Sequence, residues 1–143
     1  MDTQLGDATN TIGQFNSDHN ARFYMEDSSN GLGFQFFDDA YNTIAHEKLA
    51  NNKEVRSKWT DVMIHALWLS SENGFIEIFI NGKLVKSFSG HNMRFATEIY
   101  FDFGIYNSYI SKCECLRMPT HIVYYDNVRR GVTRSEVESK ANE

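Results

Sequence analysis

Residues 74–131 alternate apolar and polar side chains in three runs: GFIEIFINGKLVKSF, EIYFDFGIYNSYI and HIVYYDNVRRG. Successive side chains of a strand point to opposite faces, so a period of two predicts half-buried strands. Asn81-Gly82 splits the first run, and both residues accept the positive φ angles of a tight hairpin. Upstream, TIGQFN (residues 11–16), ARFYMED (21–27), GFQFFDD (33–39) and TIAHEKLA (43–50) read as shorter strands, with SDHN and SSNG as turns between them. WTDVMIHALWLS (59–70) alternates for longer. Its apolar members are Trp59, Val62, Ile64, Ala66 and Trp68, the two tryptophans are read as core, and its slipped starting phase suggests a bulge. KCECLRMP is an irregular link, and HIVYYDNVRR is read as the last strand. No stretch has an apolar stripe of helical period. Eight or nine strands without a helix predict an all-β chain, an antiparallel β-sandwich or jelly roll. Residues 1–131 are assigned to one domain and 132–143 to a polar tail.

Composition fills in this picture. A chain of 143 residues, 41% hydrophobic and 14% aromatic, can bury a real core. A formal charge of −5 argues against broad phosphate neutralisation, hence against nucleic acid as a partner. It also suits a polyanionic glycan only if positive charge gathers in one groove. Cys113 and Cys115 stand one residue apart, so in a strand they face opposite ways and would make a strained bond; they are read as free thiols. The first fifteen residues lack the basic start and apolar run of a signal peptide, and no segment is long and apolar enough to span a membrane. The protein is therefore expected inside a cell until lysis, or outside it or on a virion if a leader has been lost.

An ordered set of motifs carries a more specific reading. W-x-D-V-x-x-H-x-x-W (Trp59, Asp61, Val62, His65, Trp68) is followed by GFIEIFINGK, then YFDFGIY (100–106), then VYYDNV (123–128), with IGQFN (12–16) upstream. This order resembles the polysaccharide lyase superfamily that includes heparin lyase I, glucuronan lyase and alginate lyases, whose domain is a concanavalin A-like jelly roll. The resemblance implies β-elimination on a uronate polymer. Such an enzyme neutralises a carboxylate with preplaced donors and moves protons with a His or Tyr within hydrogen-bond reach. It assigns Gln14 and Tyr106 to the catalytic groove, with Tyr100 as a lining residue, and it implies a groove-facing His where this chain has Asn16 and a Lys where it has Asp102. Asn cannot shuttle a proton, and Asp repels a uronate that Lys would attract. His19, three residues beyond Asn16, is the candidate replacement base. Asp126-Asn127 resembles the family's last-strand pair and is the candidate for a structural calcium ion, which takes oxygen ligands. No other cofactor is implied.

Each of these residues also has a plainer role. Gln14 and Asn16, two apart, share a strand face that could simply be solvated, and the tyrosines could be packing. His65 reads as a satisfied structural histidine. No match to the family's Arg-x-Glu-Leu strand precedes Thr11, so the chain reads as short at its N-terminus. An incomplete sandwich exposes edges, which implies a homo-oligomer or a covering partner chain. Three functions stay open: a lyase-like module that binds polysaccharide without efficient cleavage, an active lyase using Tyr106, Gln14 and His19, or a structural, adhesion or virion-decoration unit.

Overall fold

A computed structural model of the chain describes residues 9–17, 20–37, 42–93, 98–107 and 120–138. Among the described residues, eight strands and two single-turn helices follow one another in the order β1 Asn10–Ser17, β2 Asn20–Ser28, β3 Gly31–Phe37, β4 Thr43–Ala50, α1 Asn52–Val55, β5 Val62–Leu67, β6 Phe75–Ile80, β7 Lys83–Ser89, β8 Tyr100–Tyr106 and α2 Arg134–Val137. All pairings are antiparallel. They form two sheets, ordered β4-β3-β2-β1-β8 and β5-β6-β7, so the fold is all-β and built of antiparallel sheets. The chain divides into two compact units, residues 1–56 with 96–123, and residues 57–95 with 124–143.

In the first unit, alternation decides which way each strand faces. Phe23, Met25, Leu32, Phe34 and Phe36 are buried on one side of β2 and β3, with Phe23 and Phe36 each only 1% exposed. Phe23 stacks on Phe34 at 5.5 Å between ring centroids and meets Phe15 edge-on at 6.1 Å. Phe15 in turn leans on Phe101 of β8 at 4.8 Å. The sheet thus has one aromatic face, and the residues between these aromatics (Gln14, Tyr24, Glu26, Gln35) point the other way.

The second unit is a three-stranded meander. Val62, Ile64 and Ala66 pair directly with Ile80, Ile78 and Ile76, which makes one continuous aliphatic face. Ile76 and Ile78 are each 2% exposed. The β6–β7 turn is Asn81-Gly82 with φ of 50° and 76°, the doubly positive geometry that favours this dipeptide in a two-residue hairpin. The Asn81 side-chain oxygen also accepts the Asp61 N–H at 3.0 Å, which ties the hairpin to the entry of β5. Asn92, buried at 4%, closes the other end: its Oδ1 accepts the Leu69 N–H at 2.8 Å, and its Nδ2 donates to the carbonyls of Leu67 at 2.9 Å and Phe75 at 3.2 Å.

Two expectations from the alternation need correction. Residues 120–131 have no strand pairing, so HIVYYDNVRR is not a last strand; its apolar Ile122 and Tyr124 stay largely exposed. Period two shows that a segment could be a strand, whereas pairing requires an available edge in the right register. Trp59 is not core either. It precedes the paired residues of β5 and is 71% exposed. The Cys113–Cys115 pair and the KCECLRMP link lie outside the described residues.

Candidate functional site

The polar face of the five-stranded sheet gathers most of the candidate chemistry. Cross-strand partners share a face, and the register places Asp102 opposite Gln14, Gln14 opposite Tyr24, Tyr24 opposite Gln35, and Gln35 opposite His46. One row of polar side chains therefore crosses all five strands, from β8 to β4. With strands about 4.8 Å apart, the row is about 19 Å long. Asn16 and Tyr100 form the neighbouring pair on one flank, and Glu26 stands beside Gly33 on the other.

Tyr106 reaches this face through paired irregularities. Both ladders of β1 shift register between Thr11 and Gly13. Thr11 pairs with Glu26 on the polar side, whereas Gly13 pairs with Met25 on the aromatic side. On β8 two residues, one of them Gly104 at φ 149°, answer the single Ile12, and this returns Tyr106 to the polar side opposite Thr11. Such bulges re-aim side chains beside functional surfaces. Tyr106 is 64% exposed.

The two positions that depart from the lyase pattern are bonded to each other. Asn16 Nδ2 donates to Asp102 Oδ2 at 2.6 Å, and Asn16 is only 5% exposed. The amide is thus spent on the carboxylate. Replacing Asp102 with alanine is expected to destabilise the protein by about 1–3 kcal/mol, the cost of leaving a buried donor unmade. Asp102→Asn, which keeps an acceptor there, should cost less. Urea melts of the two variants measure the difference.

Tyr24 sits between Gln14 and Gln35 with its ring 5.0 Å from that of Phe37. Burial, then the Glu26 carboxylate, then the Tyr106 phenol raise its pKa above the ordinary phenol value. Near neutrality Tyr24 therefore donates hydrogen bonds and is no base. The folded chain holds this proton more tightly than the unfolded chain. The linked stability is complete below about pH 10, the unfolded value, and is lost as pH rises through the folded one. The urea midpoint should fall above pH 10, and Tyr24→Phe should fall less over the same range.

A second cluster lies at the β4 end of the row. Gln35 Nε2 donates to Glu26 Oε1 at 2.7 Å, and His46 Nε2 lies 3.1 Å from Glu26 Oε2 and 3.4 Å from Gln35 Nε2. The Glu26 side chain is 12% exposed and that of His46 58%, so a nearly covered carboxylate orients an imidazole that faces solvent. These residues escape the sequence reading because nothing in the linear pattern aligns Glu26, Gln35 and His46. Alternation puts each on a polar face, but only the β2–β3–β4 register brings them together.

The other candidates lie elsewhere. His19 is outside the described residues. His65, in the other sheet, bonds Glu77 through Nδ1 at 2.9 Å and packs edge-on against Phe75 at 4.8 Å, which satisfies it as a structural histidine. Asp126 Oδ1 accepts the Asn127 N–H at 2.7 Å, and Asn127 Oδ1 accepts from Arg129 at 3.0 Å. One carboxylate beside a guanidinium offers far fewer oxygens than the six to eight that calcium takes. Among the described residues no three His, Cys, Asp or Glu side chains gather to hold a metal ion. No described helix is long and apolar enough to cross a membrane.

Comparison with known proteins returns no match among curated proteins and none among solved structures. A family model described as polysaccharide lyase does match, over residues 6–129, from just before β1 into the unpaired segment 120–131. The match takes in the whole polar row and both positions of the Asn16–Asp102 pair, and on that extent the chain belongs to the polysaccharide lyase family.

Proposed function

We infer that this chain is a glycan-binding module built on the polysaccharide lyase fold, without efficient β-elimination. The observation that carries this reading is the 2.6 Å bond from Asn16 to Asp102. The lyase pattern has a proton-transferring His at the first position and a cation at the second. Here a buried amide neither takes nor gives a proton, and a carboxylate at the second position would repel a uronate carboxylate approaching it. The remaining polar row is suited to binding. Gln14, Tyr24, Gln35 and His46 present amide, phenol and imidazole groups in a line, and sugar hydroxyls bond well to all three types.

A specific observation keeps active cleavage as the second reading. Tyr106 and Gln14 are both retained on one sheet face, and Tyr106 is 64% exposed. A tyrosine alone can serve as base and acid if its pKa falls toward neutrality.

Affinity electrophoresis tests the binding claim. In gels cast with soluble polysaccharides, the protein should be retarded by at least one, and the double substitution Gln14→Ala with Tyr106→Ala should restore its mobility. Equal mobility in every gel would contradict the reading.

A further inference from the structure

Three side chains from neighbouring strands, Glu26 of β2, Gln35 of β3 and His46 of β4, bring their polar tips together on the polar face of the five-stranded sheet. Gln35 Nε2 lies 2.7 Å from Glu26 Oε1 and 3.4 Å from His46 Nε2, and His46 Nε2 lies 3.1 Å from Glu26 Oε2. Each residue therefore touches the other two. With Glu26 as a carboxylate, protons alone cannot satisfy such a triangle. If His46 Nε2 carries hydrogen, it donates to Glu26 and sets its N–H against the Gln35 amide N–H groups. If Nε2 is bare, it accepts from Gln35 and sets its lone pair against a Glu26 oxygen. Turning the amide over only moves the conflict, because Gln35 Oε1 then faces the Glu26 carboxylate. Every assignment leaves one contact of like against like.

We propose that this triangle is a site for a divalent transition-metal ion, held by Glu26 Oε2, His46 Nε2 and, with its amide turned over, Gln35 Oε1. A cation removes the conflict, because all three atoms then direct lone pairs at one positive centre. The spacing fits as well. Two atoms bonded to one ion at about 2.0–2.2 Å stand about 2.8–3.6 Å apart in octahedral or tetrahedral geometry. Both contacts of His46 fall in that range. An imidazole combined with two oxygens suits zinc, nickel and their neighbours, whereas calcium and magnesium favour oxygen alone. The third ligand is an amide, which agrees with the absence of a His, Cys, Asp or Glu trio among the described residues.

Protein fills only one side of such an ion. An open cleft of about 250 Å³, lined by Glu26, Gly33 and His46, leaves room for the waters that complete the shell. Gly33 keeps that room clear, since it stands directly between Glu26 and Lys48 and contributes no side chain. The Lys48 ammonium opposes a cation here, but Lys48 is exposed and lies in the next row, so water and salt screen its charge. The Glu26 side chain is only 12% exposed and screens its own charge far less.

Isothermal titration calorimetry with Zn2+ and with Ca2+ tests this on the full chain and on His46→Ala and Gln35→Glu. His46 is exposed and Gln35 half-buried on the polar face, so neither change touches the aromatic core. In the parent chain Zn2+ should bind and Ca2+ should give no measurable heat. His46→Ala should lose one Zn2+ per chain or bind it at least tenfold more weakly. Gln35→Glu, which puts a carboxylate where the amide oxygen was, should bind that ion more tightly. Equal Zn2+ isotherms for the parent and His46→Ala overturn the proposal, because the ion then sits elsewhere. A parent chain that binds no Zn2+, or binds Ca2+ as tightly, overturns it too.

Discussion

Truncating Phe23 to alanine is expected to destabilise the first unit by about 3–5 kcal/mol, the largest effect of any single substitution considered for this chain. Phe23 is 1% exposed and touches both Phe34 and Phe15. Its ring therefore links the core of β2 with those of β3 and β1. Removing it takes away transfer energy and leaves a cavity that neighbouring rings, fixed on three strands, can only partly fill. Single domains are stable by only about 5–15 kcal/mol, so this one change consumes a large fraction of the total. Urea unfolding followed by far-ultraviolet circular dichroism should show a much lower midpoint with little change of slope. Phe23→Leu, which refills most of the volume, should recover most of the loss. A midpoint shift equivalent to less than about 1 kcal/mol would contradict the packing account, since buried aromatic truncations cost several times that.

Asn92→Ala is expected to cost about 2–4 kcal/mol through a different mechanism. The side chain serves three backbone groups, the Leu69 N–H and the Leu67 and Phe75 carbonyls, and all of them lie at the end of the β5–β6 pair. Alanine leaves these polar groups without their partner at a position that is 4% exposed. The loss exceeds that of an ordinary hydrogen bond because desolvation of the orphaned groups is not repaid. Asn92→Asp separates the contributions. It keeps the acceptor for Leu69 but turns a carboxylate toward two carbonyls, so it should be no more stable than the alanine variant. An Asp variant as stable as the parent would show that the two donated bonds contribute nothing. Thermal melts monitored in the near ultraviolet read both variants on one scale.

Much of this architecture is legible in the sequence where local chemistry decides it. Alternation locates β2, β3 and β6 because each has one face buried and one more open, and it locates β7 and β8 although neither has a fully buried face. Asn81-Gly82 identifies its own turn, since few other dipeptides tolerate positive φ twice in succession. Trp59 and the HIVYYDNVRR segment are misread for one shared reason. Apolar character is a property of the residue, whereas burial depends on an edge or layer supplied by a distant part of the chain.

The candidate site divides in the same way. Gln14, Asn16, Tyr100, Asp102 and Tyr106 are found through motifs that lie within single strands, and the register then assembles them on one face. The Asn16–Asp102 bond joins residues 86 apart, and no local pattern announces it. Its consequence is larger than either substitution read alone. An isolated Asp at a cation position suggests repulsion, and an isolated Asn suggests a missing base. Bonded together, they form one amide–carboxylate pair, so the two departures from the lyase pattern are a single structural feature. Glu26, Gln35 and His46 are not legible in the sequence because each looks like an ordinary solvated strand residue until β2, β3 and β4 are aligned.

The central claim is that the fold of a polysaccharide lyase persists here while its β-elimination does not. Continuous ultraviolet absorbance of unsaturated uronide product, with alginate, glucuronan and heparin-type polysaccharides as substrates, tests it most directly. The account predicts a flat trace with every substrate at protein concentrations where the polysaccharide is limiting. A steady rise with any of them that Tyr106→Phe abolishes would contradict it.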